Sequence, residues 1–268
     1  MTTLRPVAVA GLFYPGEPEA LASELAAYLG EARTAPASEV PPKAIIAPHA
    51  GYIYSGPIAA SVYARLAPLR GRISRVVLVG PAHRVYVTGA AVPSTEAFAS
   101  PLGPVPLDLE AIARLRHLPF VEVSDEAHAQ EHCLEVHLPF LQTVLGDFRL
   151  VPVVVGDAST EEAAKLLGTL WGGDETLLVV SSDLSHYLPY KAAMARDRET
   201  ARAILGLEAR LVGEEACGAI PINGLLRAAR SRGLVPEQLD LRNSGDTAGP
   251  RDRVVGYGSF AFHASTPA

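Results

Sequence analysis

The sequence predicts a single-domain three-layer α/β/α sandwich with a mostly parallel central sheet, and three observations carry that reading. Three short runs, Lys43–Ala47, Arg75–Val79 and Thr176–Val180, are continuously apolar rather than alternating, the habit of strands covered on both faces. Each closes in a loop that carries a histidine, so three loops should meet outside the carboxyl ends of the strands. No Gly/Ser linker interrupts the 268 residues, so 1–268 is read as one domain, close to the upper size for a single core.

In chain order, Glu17–Glu31 places Leu21, Leu25, Tyr28 and Leu29 on one side at helical spacing. The Pro-containing stretch Ala35–Pro42 ends that helix. Lys43–Ala47 is the first buried strand; it runs into Pro48-His49-Ala50-Gly51-Tyr52 and then a helix over Gly56–Leu66. Arg75–Val79, a β-branched run, closes in Gly80-Pro81-Ala82-His83. Thr176–Val180 closes in Ser181-Ser182-Asp183-Leu184-Ser185-His186, followed by a helix over Lys191–Leu205. Further strands are expected at Gly89–Val92, Val121–Val123, Phe148–Val155, Leu239–Arg242 and Val254–Phe262, with helices at Gln130–Leu145, Glu161–Trp171 and Ile222–Ala229. Asn243–Pro250 is a turn by composition.

Bulk properties narrow the function classes. Hydrophobic residues make up 49% and charged residues 19%, the balance of a folded globular chain. A net charge of −6 argues against a nucleic-acid or anionic-lipid footprint. No apolar run approaches the ~20 residues of a membrane span. The start Met1-Thr2-Thr3-Leu4-Arg5-Pro6 lacks the layout of a signal peptide, so a cytoplasmic protein is expected. The two cysteines, Cys133 and Cys217, are too few for a disulfide framework.

His49 and His83 follow strands directly in Pro/Gly-bearing loops, where they could reach one ion; each could also simply cap its loop by hydrogen bonding. Their matching positions favour the ion. Asp183 and His186 lie three apart in the third loop, so Asp183 could orient the imidazole and His186 could serve as general acid or base, or Asp183 could be an N-cap. Cys217 precedes an apolar helix whose positive end favours a thiolate, and Gly218 lets a backbone come close; a buried structural cysteine fits equally. Two imidazoles and a thiolate would hold Zn, Fe or Cu rather than Mg or Ca. A second constellation, His128, His132 and Glu135, has i, i+4, i+7 spacing on one predicted helix face, but its order is not H-E-x-x-H, which argues against a separate metal site.

In order, Gly11-Leu12-Phe13-Tyr14-Pro15, Pro48-His49-Ala50-Gly51-Tyr52, Gly80-Pro81-Ala82-His83, Glu131-His132, Ser182-Asp183-Leu184-Ser185-His186 and Cys217-Gly218 resemble the Memo family across nearly the whole chain. In prokaryotes this family is called AmmeMemoRadiSam system protein B, which implies a functional link to a radical-SAM protein. The resemblance implies a class III extradiol dioxygenase-like fold, whose enzymes hold non-haem Fe(II) with two histidines and a glutamate. By that likeness His49 and His83 match the histidine ligands and His186 the histidine that handles protons. Cys217 falls where those enzymes place glutamate, and Tyr52, Glu131 and His132 belong to the pocket. A soft thiolate in place of a carboxylate favours Fe or Cu with altered redox behaviour over catechol cleavage.

Three functions follow. The first is an iron- or copper-dependent oxidoreductase acting on a small substrate through His49, His83, Cys217, His186 and Asp183. The second is a non-catalytic protein that keeps the cleft for a metal, a peptide or a partner. The third is a metal-free cysteine hydrolase with Cys217 as nucleophile and His186 as base.

Overall fold

The computed structural model describes residues 3–32 and 40–265; most of the Pro-containing break expected at Ala35–Pro42 lies outside them. Strand β1 (Leu4–Arg5) precedes helix α1 (Pro18–Ala32), whose Leu21, Leu25 and Leu29 recur every four residues and are all buried. Strand β2 (Pro42–Ala47) leads into α2 (Tyr52–Tyr63), which continues as a 3-10 turn to Leu69. Then come β3 (Arg75–Pro81), β4 (Ala90–Val92), β5 (Ala97–Phe98), β6 (Val105–Pro106), α3 (Leu109–Leu115) and β7 (Val121–Val123). Three short helices follow: α4 (Asp125–Ala129), α5 (His132–Glu135) and α6 (Leu138–Leu145). The chain then forms β8 (Arg149–Val155), α7 (Thr160–Thr169), β9 (Thr176–Ser181), β10 (His186–Leu188), α8 (Tyr190–Leu205), α9 (Ala219–Ser231), β11 (Leu234–Asn243) and β12 (Val254–Ala264).

A nine-stranded mixed sheet in the order β10-β12-β2-β9-β3-β8-β4-β7, with β11 also on β12, forms the middle layer. Its centre, β2-β9-β3-β8, is parallel and its flanks join antiparallel. The central strands are buried along nearly their whole length, as their continuous apolar runs require. Helices α1, α2 and α6 pack on one another, with α2 against β2 and β12; α7 and α9 pack together, with α9 against β3 and β9. A smaller sheet, β1-β5-β6, lies apart. Because β2, β9 and β3 are adjacent and parallel, their ends lie on one edge of the sheet, and Ala47 stands level with Ser181. This register is what brings three separate loops to one place. None of the described helices is long and apolar enough to cross a membrane.

The helix expected over Gln130–Leu145 is broken. Ser124 caps α4 by accepting the Ala127 N–H, Glu131 caps α5 by accepting the Cys133 N–H, and Pro139, lacking an N–H, sits in the first turn of α6. The supposed shared face of His128, His132 and Glu135 therefore does not exist. His128 Nε2 meets the Ala91 carbonyl at 3.1 Å, and Glu135 is a wholly buried anchor.

That anchor ties the N-terminal segment to the short helices. The Glu135 carboxylate pairs with Arg5 and accepts the Ala8 N–H at 2.7 Å, the Val9 N–H at 2.9 Å and the Tyr14 hydroxyl at 2.6 Å. Arg5 also donates to the carbonyls of His128 and Glu131. Glu135→Ala would leave the buried Arg5 charge without its counter-ion and three donors unanswered. We expect it to cost about 3–5 kcal/mol and to lower Tm by roughly 10 °C in thermal unfolding.

Candidate metal centre

The loops after β2 and β3 and the start of α5 bring three imidazoles together. The ring centroids of His49 and His83 lie 5.1 Å apart, those of His49 and His132 5.4 Å, and those of His83 and His132 4.8 Å. One ligand atom from each falls within 4.8 Å of the others. Ligand nitrogens on a single tetrahedral ion at about 2.1 Å stand roughly 3.4 Å apart, so small rotations would close the cage. The Cys217 Sγ is 3.3 Å from His49 Nε2, at the border of this group.

Hydrogen bonding assigns the tautomers of His49, His137 and His83. The Ser181 hydroxyl has one proton and gives it to the Cys133 carbonyl at 2.7 Å. Its oxygen must therefore accept from both imidazoles that touch it, His49 Nδ1 at 2.7 Å and His137 Nε2 at 2.8 Å. His49 is thereby left with its Nε2 lone pair toward Cys217. His137, protonated on Nε2, accepts the Tyr63 hydroxyl at Nδ1 (2.8 Å), which completes a buried chain from the helical layer to the site. On the other side the Glu131 carboxylate accepts the His83 N–H at 2.7 Å, His83 Nδ1–H at 2.9 Å and the Cys133 N–H at 3.0 Å, which leaves the His83 Nε2 lone pair free. His132 Nδ1 lies 3.3 Å from the same carboxylate but is buried without a hydrogen-bond partner. An orphaned imidazole nitrogen beside two aimed lone pairs is a donor set that fits one borderline transition metal.

Burial favours the neutral imidazole at His49 and His132. It depresses His49 well below the usual imidazole range, reinforced by the neighbouring histidines, and lowers His132 to about 4 and His137 to about 3. Burial would raise Glu131, but the His83 hydrogen bond and the backbone N–H groups outweigh it and hold the carboxyl at about 2. Burial pushes the Cys217 thiol up to about 12, so without a metal it is a thiol, and its nearest imidazole is His49. The helix-favoured thiolate is corrected accordingly: desolvation overrides the end of α9. A nucleophile activated by His186 has no geometric support. Gly218 does make the expected close approach, since a Cβ there would stand 2.7 Å from the Ser181 carbonyl oxygen.

A second possible cluster, His83, Glu131 and Cys133, shares His83 with the first. It is the poorer cage, because the Glu131 oxygens are already taken by three N–H groups and the fully buried Cys133 lies 3.2 Å from the Pro81 carbonyl.

Two other expectations change. Asp183 accepts the His49 N–H at 2.8 Å, and burial raises its carboxyl to about 7. It holds the His49 loop rather than orienting His186. Tyr52 is buried, with its hydroxyl on the Val136 carbonyl at 2.7 Å, and does not line the cleft; Tyr54, one turn side over, does. His186 lines a cleft of about 980 Å³ together with His49, His83, His132, Asp183 and Cys217. Phe13 also lines it, with its ring 4.9 Å from His132, which gives the N-terminal Gly-Leu-Phe-Tyr-Pro motif a place at the site. Ser181 and His137 escaped notice because nothing local distinguishes a serine at a strand end or a helix-side histidine.

The sequence profile described as Memo-like protein matches residues 5–261. The chain belongs to the Memo-like family. Relatives called MEMO1 family protein are 35% identical in Aquifex aeolicus, over 97% of this chain and 99% of that protein, and 37% identical in Aeropyrum pernix, over 95% and 98%. One from Methanosarcina barkeri is 36% identical over 96% and 99%. The solved structure of an uncharacterized Escherichia coli K12 protein aligns with a TM-score of 0.53 at 16% identity, covering 81% of this chain and 98% of that one, and shows that the Memo-like fold here is shared beyond close relatives.

A glutamine at 131 offers one acceptor oxygen where three N–H groups need two. Glu131→Gln and Ser181→Ala are each expected to weaken metal affinity by about 10–100-fold without unfolding the chain, read by competition with a chromophoric chelator.

Proposed function

We propose that this Memo-like protein is an iron- or copper-dependent oxidoreductase that acts on a small organic molecule in the cleft. His49, His83 and His132 would hold the metal, with the Cys217 sulfur beside them as a further ligand. The observation that carries the reading is the set of imidazole nitrogens within 4.8 Å of one another on the wall of an open cleft. The imidazole and thiol donors favour Fe or Cu, and the family's likeness to iron-dependent dioxygenases points the same way. When bound, the metal would supply electron exchange with the substrate or with oxygen.

The chain's own residues would do the rest. Glu131 and Ser181 hold two imidazoles with their lone pairs forward, and Asp183 fixes the loop that carries His49. His186 lies in the same cleft, and its lowered pKa leaves it neutral near pH 7. A neutral imidazole on the cleft wall can take a proton from a substrate hydroxyl and return it later.

Untagged protein should contain stoichiometric iron or copper, lost in His83→Ala and His132→Ala; a wild-type chain that takes up neither metal contradicts the proposal. Proton release tests Cys217 separately. A thiol with a pKa of about 12 is protonated at pH 8, so ligation must expel its proton, whereas neutral imidazoles expel none. Calorimetry in buffers of different ionisation enthalpy should therefore show one proton released on metal binding, and none in Cys217→Ser. A loaded protein that consumes no oxygen and shows no redox change with aromatic or thiol reductants would leave the non-catalytic metal-binding reading in its place.

A further inference from the structure

The opposite edge of the sheet carries a second cavity, which the metal centre does not use. Its volume of about 650 Å³ is within the range of small-molecule sites, and it lies at the amino ends of β2, β3 and β9. The length of β2, roughly 15 Å, separates it from the loop that carries His49. Its apolar lining includes Leu69, Ile73 and Leu234, together with Trp171, the one tryptophan of the chain.

Three cations, Lys43, Arg72 and Arg232, line this cavity on a chain whose net charge is −6. Among the described residues none of the three has a carboxylate within ion-pair distance, and the one acidic residue of the lining is the exposed Asp174. Glu175, next in the chain, is engaged by the Thr176 hydroxyl at 2.6 Å and the Gly173 N–H at 3.1 Å. Lys43 Nζ donates to the carbonyls of Gly173 at 2.6 Å and Thr176 at 2.7 Å, which leaves the third N–H of its ammonium uncommitted. Burial presses the Lys43 ammonium down to about 8, as expected where counter-charge is short. The exposed Arg72 side chain makes no hydrogen bond among the described residues. The Arg232 guanidinium stands 4.1 Å from the centroid of the Trp171 ring. That indole face is closed to a ligand ring, and the rest of the apolar wall is aliphatic.

We propose that this cavity binds a small aliphatic anion, with Lys43 and Arg72 holding its oxyanion head and Leu69, Ile73 and Leu234 receiving its tail. Cations that share a cavity without counter-ions repel one another, and an anion between them turns that repulsion into attraction. Both the free ammonium N–H and the guanidinium suit a carboxylate or a phosphate head. Tail burial adds the apolar contribution, which a bare anion such as acetate lacks. Arg232 stays on Trp171 and keeps the indole beside the ligand as a reporter. The inference is independent of the metal and of any reaction in the histidine cleft.

The test titrates the full-length protein with octanoate, octyl phosphate, neutral 1-octanol and acetate, and follows the single indole N–H signal of Trp171 by NMR. The better of the two long-chain anions should shift that signal saturably and bind at least about tenfold more tightly than 1-octanol. Acetate at the same concentration and ionic strength should leave the signal in place. Arg72→Gln removes an exposed side chain with no hydrogen bond to lose, so it should fold normally and bind the anion several-fold more weakly; Lys43→Met should weaken it further. His83→Ala should bind the anion as the wild type does. Binding of 1-octanol as tight as that of the anions overturns the proposal, as does an Arg72→Gln protein with unchanged affinity. Loss of anion binding in His83→Ala would place the ligand in the histidine cleft and overturn it as well.

Discussion

One hydroxyl proton decides the chemistry available at this site. Ser181 spends it on the Cys133 carbonyl, so its oxygen can only accept, and both flanking imidazoles must donate. His49 then has no choice of tautomer, and its free lone pair faces outward. The constraint works because Ser181 ends a central strand whose register with β2 is set by buried apolar residues on both faces. The sheet thus positions the oxygen, and the oxygen aims the ligand. Tyr63 and His137 extend the same chain into the helical layer, so the orientation of the His49 ring is backed by residues far from the cleft.

Electrostatics follow from the same burial. Imidazoles packed at the edge of a dry core stay neutral, which suits metal ligation and disfavours a cationic role. The carboxylates there survive as anions where N–H groups surround them, as Glu131 does, and drift toward protonation where fewer do, as Asp183 does. Cys217 follows the apolar rule and stays a thiol with His49 as its neighbour. The sulfur becomes an anionic donor only if a cation replaces its proton, so metal binding and thiol ionisation are one event.

Much of this was legible in the sequence, and for physical reasons. Continuous apolar runs of only five residues, bounded by turn residues, read as two-sided strands, and matching histidine loops at parallel strand ends converge, so His49, His83 and the Asp183–His186 loop belong together. The region 125–145 misled because its apolar spacing is helical throughout, while Ser124, Glu131 and Pro139 each restart the helix and turn Glu131 and His132 toward His83. Tyr52 misled in the opposite sense: it follows a site loop directly, yet it opens α2 and its side chain goes to the core. Ser181 opens the third loop and His137 lies well outside all three, but neither carries a local pattern that marks its role, and only three-dimensional contact makes that role visible.

The central claim is that an imidazole cage, rather than a sulfur-dominated one, forms the metal site. X-ray absorption at the metal edge of iron- or copper-loaded protein tests this most directly. The account predicts a nitrogen-dominated first shell with the outer-shell scattering of imidazole rings from His49, His83 and His132, and at most one sulfur from Cys217. A shell with several sulfurs, or one without imidazole scattering, would contradict it.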